Sequence, residues 1–321
     1  MSAAADARRV GLLVLLAGSA LFSCKAILIK LAYGYEVSSI ALLALRMATA
    51  LPIFLAVGYL RSRGRADGYT PTSRDYVGLL FAGLSGYYLA SYTDFLGLRY
   101  VSAGMERIIL YAYPTMVLLL QWALFGQRVR RIQVAAVALC YVGVAVAFAD
   151  ADWSGGSDFP TGVALVLLSA LLYSGYVIAS GRLAPKLGSV RFTSVALVTA
   201  AVAVITHALV SGVQLVGLAP EVYLLGVTMG VFCTAIPAYL VTEGIKRIGA
   251  SDAAIVGSIG PAVTIGLEYL VLDERLTWLQ GFGAVLIVAG VVVIGRAKAP
   301  QPIAAASAVR SQEARVHAAK G

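Results

Sequence analysis

GLRYVSAGMERIILYAYPTMVLLLQWALFGQRV (97–129) lies on GIKRIGASDAAIVGSIGPAVTIGLEYLVLDERL (244–276) without a gap when the chain is shifted by 147 residues. The register holds on to 148 and 295. Gly97 meets Gly244, Pro114 meets Pro261, Leu120 meets Leu267, Gln133 meets Gln280 and Gly143 meets Gly290. Just upstream, Tyr92 meets Tyr239. A fixed offset of this kind marks an internal repeat. What the repeat implies depends on how many elements each copy holds.

Working outward, the whole chain is apolar. It has 321 residues, 60% of them hydrophobic and only 13% charged. A soluble domain carries about 25% charged residues, so a soluble enzyme, a disordered chain and a fibrous protein are excluded. One bilayer crossing needs about 20 mostly apolar residues. Apolar runs of that size recur near 10–33, 38–60, 76–98, 102–124, 132–149, 160–181, 191–211, 221–245, 251–272 and 277–295. This predicts an all-α membrane protein with ten transmembrane helices. Arg8 and Arg9 before the first run resemble the start of a signal peptide, but the run reaches Tyr33 and contains Lys25 and Lys30, so it is read as a membrane helix.

The expected organisation is a cytoplasmic tail over 1–9, a first half over 10–149, an acidic outer linker over 150–159, a second half over 160–296 and a disordered cytoplasmic tail over 297–321. Basic residues fall on alternate loops: Arg61 and Arg74, then Arg130 and Arg131, then Arg182 and Lys186, then Lys246 and Arg247. The loop 150–159 has neither Lys nor Arg. This is a positive-inside pattern with both termini inside. The formal charge of +9 therefore reflects topology and does not point to nucleic acid. Five helices per half is an odd number, so the second half enters the bilayer from the opposite side. Inverted repeats of this sort give secondary transporters two exchangeable faces around a central cavity.

With the repeats in view, the segments LRYVSAG (98–104) with YPTMVLLLQWALFGQRV (113–129), and IKRIGAS (245–251) with GPAVTIGLEYLVLDERLT (260–277), resemble the two halves of an EamA-type member of the drug/metabolite transporter superfamily. Each has a small-residue start, a mid-helix proline and a basic exit before the last helix. Gln127 stands where that family usually has Glu, while Glu274 keeps it. The resemblance covers about 11–296. It implies ten helices, a cavity between the halves and secondary export of a small metabolite, typically across a bacterial inner membrane.

Charges within a bilayer are costly and mark function by default. Lys25 either binds a substrate carboxylate or pairs with a carboxylate of the protein. Arg46 is read as a gating or structural ion pair, and Asp94, near a helix end, as a gating or interfacial group. Glu106 is the leading proton carrier, because the first turns of the fourth helix partly desolvate it. Arg107 is expected on a different face from Glu106. Glu268, seven residues after Pro261 in an apolar helix, is a second proton-coupling candidate. Pro114 and Pro261 each remove a backbone hydrogen bond and predict matched kinks. Among 17 tyrosines, Tyr88, Tyr92, Tyr111 and Tyr239 are taken as substrate-binding candidates, since a hydroxyl buried in a membrane needs a polar partner. His207 is read as interfacial. Gly226 and Gly230 form one GxxxG packing motif.

Cys24, Cys140 and Cys233 have no metal or redox spacing, and the two histidines are isolated. No metal or cofactor is expected, and there is no Walker A motif for direct use of ATP. An intramembrane enzyme would need a nucleophile with its base, and none is apparent. The expected partners are a small-molecule substrate, the lipid bilayer and protons. A lipid-linked, nucleotide-sugar or drug carrier of the same superfamily is the alternative. It predicts several basic cavity residues in both halves, whereas here they concentrate in the first.

Overall fold

The computed structural model describes residues 2–62, 71–126, 129–149, 158–248, 259–273 and 277–296. Within these, all regular structure is helical. Helix α1 is Ser2–Tyr33 and α2 is Ser39–Ser62. Helix α3 runs Ser73–Gly83, continues through a π-helical segment Leu84–Leu89 and ends as Ala90–Gly97. Helix α4 has two pieces, Ala103–Leu110 and Tyr113–Phe125. Helix α5 is Arg131–Ala149, α6 is Phe159–Leu187 and α7 is Ser189–Val210. Helix α8 is Pro220–Gly230, a π segment Val231–Ala235, then Ile236–Ile248. Helices α9 and α10 are Ile259–Val271 and Trp278–Arg296.

Six of these helices are long and apolar enough to cross a membrane, from Arg9–Tyr33 to Pro220–Gly244. The set is compatible with ten crossings. Helix α3 is not among the six, because Ser, Tyr and Asp94 dilute its apolar content. One boundary differs from expectation: α1 already begins at Ser2, inside the stretch read as a tail. The linker 150–157, the residues 249–258, Gln127, Glu274 and the tail 297–321 lie outside the described residues.

The packing follows a two-fold exchange of the halves. Helix α1 packs along α8, and its counterpart α6 packs along α3. Helices α2 with α7, and α5 with α10, pair with their own counterparts. In the last pair the Cys140 thiol reaches the Ile287 carbonyl at 3.4 Å, and these residues are repeat mates. Gly143 lies against Gly283 and Ile287, and Gly290 lies against Ala136 and Cys140. Position rises on one helix as it falls on the other, so the mates are antiparallel and the halves are inverted.

Close approach depends on matched glycines. A Cβ on Gly230 would stand 2.6 Å from the Arg46 carbonyl and 2.8 Å from Thr49 Cβ. A Cβ on its repeat mate Gly83 would meet the Ala196 carbonyl and Thr199 Cβ in the same way. Each glycine immediately precedes a π segment. The Ala90 N–H reaches back five residues to Ser85, and the Ile236 N–H to Val231. In α8, Pro237 has no N–H to offer, which weakens the ordinary ladder at that point. The two π segments start 147 residues apart, at the repeat offset.

The expected kinks also have a physical form. Leu110 ends the first piece of α4, and Pro114 sits in the first turn of the second. Proline is favoured there because its missing N–H would have no partner anyway. Pro261 lies within α9, two residues after the first described residue of that helix. An apolar groove of about 510 Å³ opens between α4, α5 and α6, where Met116, Trp122, Tyr141 and Leu168 line it. It is a side-facing, greasy surface away from the buried charges.

Candidate functional site

The site is built on the end of α3 and the start of α4. Ser102 accepts a hydrogen bond from the Met105 N–H at 3.2 Å, capping α4. This places Glu106 in the first helical turn, where the positive end of the helix dipole favours a carboxylate. Arg99 holds the neighbouring chain ends together. It donates to Ser39 Oγ and to the Val37 carbonyl, each at 2.8 Å, and lies over the Tyr33 ring. The ends of α1 and α3 and the start of α2 are thereby tied, which fixes Asp94 against Lys25.

Lys25 Nζ bonds Asp94 Oδ2 and lies 3.5 Å from Glu106 Oε1. Arg107 Nε stands 3.8 Å from Glu106 Oε2. Arg107 also reaches the Phe22 carbonyl at 2.9 Å and Thr264 Oγ1 at 3.2 Å. Thr264 in turn donates to the Ser23 carbonyl at 3.1 Å. Arg107 therefore links α4 of the first half to α1 and to α9 of the second. The carboxylates are sealed, with side chains 2% and 0% accessible for Asp94 and Glu106, against 12% for Lys25 and 11% for Arg107. The cations form the accessible side of the cluster.

Three expectations are corrected by this geometry. Asp94, near the end of α3, is buried and paired instead of solvent-exposed. Arg107 does not leave the Glu106 neighbourhood; its long side chain returns to the same cluster. Arg46 is buried and forms no ion pair among the described residues; its Nε donates to Thr234 Oγ1 at 2.7 Å. Glu268 is buried on α9, one turn beyond Thr264.

The tyrosine candidates separate. The Tyr88 hydroxyl meets His207 Nδ1 at 3.0 Å, and the Tyr92 ring packs edge-on against the same imidazole. His207, in the last turn of α7, is thus held against α3. Tyr111 lies beside Gly260 of α9, as does Ser23 of α1. Tyr239 is elsewhere, bonded to Ser194 Oγ at 3.0 Å and packed on Phe54. A further group, Tyr87, Tyr113, Tyr173 and Tyr176, makes an edge-to-face cluster between α3, α4 and α6. Tyr88→Phe is expected to lower stability by about 0.5–1.5 kcal/mol, the net worth of one hydrogen bond. Thermal unfolding in detergent checks this, and an unchanged melting temperature would mean the Tyr88–His207 bond carries no weight.

Sequence reasoning missed the Arg99 clamp, the Arg107–Thr264 bridge and the π segments. Arg99 was legible only as a helix-end charge. A π segment has no sequence signal beyond the proline that follows the second one.

Comparison with known proteins agrees with this architecture. The profile of the EamA-like transporter family matches residues 9–149 and 160–296. An uncharacterized transporter of Bacillus subtilis, YcbK, is 31% identical over 285 residues, covering 85% of this chain and 88% of that one. A second from the same organism, YdfC, is 22% identical over 260 residues, covering 80% of this chain and 81% of the relative. One solved crystal structure superposes with a TM-score of 0.60 at 20% identity, over 90% of this chain and 96% of that chain, which speaks for the fold alone. Two matched repeats and a buried charge cluster between helices are what a membrane carrier requires, and the chain belongs to the EamA-like transporter family, as a transporter and not an enzyme.

Proposed function

We propose that the chain exports a small carboxylate-bearing metabolite across a bacterial inner membrane by alternating access, with both termini in the cytoplasm. The observation that carries this reading is the Lys25 cluster, where one buried ammonium faces two carboxylates and is backed by Arg107. Buried ion clusters of this kind mark substrate or proton paths in membrane proteins. Lys25 and Arg107 together balance Asp94 and Glu106, two cations against two carboxylates. A proton on Glu106 leaves Asp94 on Lys25 and leaves one positive charge in excess, shared by Lys25 and Arg107, for a substrate carboxylate. Proton and anion then load together, so each proton offsets one carboxylate charge and the substrate's own outward gradient drives the cycle.

Glu268 on α9 is the second proton-carrying candidate, and Arg46 and Asp94 are gating candidates. Tyr88, Tyr92 and Tyr111 flank the approach, while Tyr239 serves α8 packing. The halves rock about the antiparallel α5–α10 pair, and α3 and α8 bend at their π segments. Shifts at packed interfaces of this kind are how two discrete states arise.

The test compares metabolites in the medium of cells carrying the wild type, Lys25→Ala, Glu106→Gln or an empty vector. One class of carboxylate is expected to accumulate with the wild type alone. Glu106→Gln is also expected to uncouple efflux from proton movement, read with an internal pH dye in vesicles loaded with that metabolite. Wild-type export by both variants would end the coupling assignment, and four matching profiles would end the export reading.

A further inference from the structure

We propose that Arg46 is a second anion anchor of the transport site, and that the substrate therefore carries two carboxylates. This rests on the transport reading above and adds the class of substrate. Arg46 is 3% exposed. Its Nε is held by Thr234, and its guanidinium carbon lies 5.5 Å from the centre of the Phe95 ring. Its Nη1 has no hydrogen-bond partner, and among the described residues no carboxylate lies within 4.0 Å of it. A guanidinium does not shed its proton in proteins. Asp94 acts on it only at longer range; a buried, permanent cation with no anion in direct contact is expensive, and an apolar or neutral residue would pack there more cheaply.

The surroundings show what is missing. Thr234 is committed on both sides: it accepts from Arg46 and donates to the Met229 carbonyl at 2.9 Å. That donation runs five residues back, within the turn that enters the second π segment. The π segment therefore serves as a cradle that holds Nε of the guanidinium and leaves Nη1 without a partner. Nη1 presents its N–H donors as part of the planar fork that suits a carboxylate. Phe95 directly follows Asp94, the partner of Lys25. Lys25 and Arg46 thus flank adjacent residues of α3, one cation at each. A monocarboxylate satisfies one of them. A dicarboxylate satisfies both.

Isothermal titration of the purified full chain in detergent, with succinate, propionate and chloride as probes, tests this. Succinate is expected to bind roughly tenfold tighter than propionate or more. Arg46→Gln is expected to bring that ratio close to one. Thr234→Val keeps the arginine but removes its cradle, and is expected to lower the ratio severalfold, which serves if Arg46→Gln does not fold. A wild-type ratio near one overturns the proposal while leaving export of monocarboxylates intact. Chloride displacing succinate at equal concentration overturns it too, since the site would then take any anion. If neither acid binds the wild type, the transport reading falls together with it.

Discussion

Replacing Lys25 by alanine is expected to destabilise the protein by about 3–5 kcal/mol, the cost of leaving a buried charge without its partner, and to abolish transport. Both carboxylates would remain, one 2% and one 0% accessible. Asp94 loses its bonded cation outright. Glu106 keeps Arg107, but only at 3.8 Å. The double variant Lys25→Ala with Asp94→Asn is therefore expected to regain a large part of the stability and none of the transport. Melting temperatures in one detergent, alongside efflux from loaded vesicles, separate the two effects. A Lys25→Ala protein that melts with the wild type would mean that the ammonium is not holding the carboxylates in place. Loss of transport at full stability would then assign Lys25 to the substrate alone.

Gly290→Leu is expected to be the most damaging change remote from the charges. A Cβ at Gly290 would meet the Ala136 carbonyl at 2.7 Å and the Cys140 nitrogen at 3.2 Å, both rigid backbone, as well as the Cys140 sulfur. Overpacking typically costs about 1–3 kcal/mol, and backbone cannot swing aside as a side chain can. Helices α5 and α10 would be forced apart where they carry most of each other's contact. Gly281 on the same helix has nothing within 4 Å of its Cβ position, so Gly281→Ala is the matched control and is expected to leave stability unchanged or slightly raised. Recovery of monodisperse protein after extraction reads both. Equal recovery would show that the inter-repeat contact tolerates separation.

The architecture was readable because its causes are local. Apolar run length sets a membrane helix, and each of the ten expected ranges begins or ends within a few residues of a described helix. The offset between Gly143 and Gly290, or Pro114 and Pro261, already contained the two-fold exchange. Lys25 was readable as an ion needing a carboxylate, because an unpaired charge in lipid is hard to sustain. Which carboxylate it takes was not readable, since that depends on the rotation of α3 and α4 about their axes. Arg107 shows the limit most clearly. Residues adjacent on a helix point about 100° apart, which separated it from Glu106 on paper. Its side chain is long enough to come back to the same cluster. Arg46 failed for the opposite reason: the expectation of a counter-ion was sound physics, but the partner is the neutral Thr234.

The paired π segments also bear on how the chain came to be. A π segment arises when one residue is inserted into an α-helix without breaking it. Two independent insertions would have no reason to fall at the same step of two separate helices. Leu84 and Val231 do fall there, directly after Gly83 and Gly230. A π segment already present in one five-helix unit before its duplication accounts for the match. Since then the copies have diverged in what the extra residue presents. One turns tyrosines toward α6 and α7, and the other turns Thr234 toward Arg46.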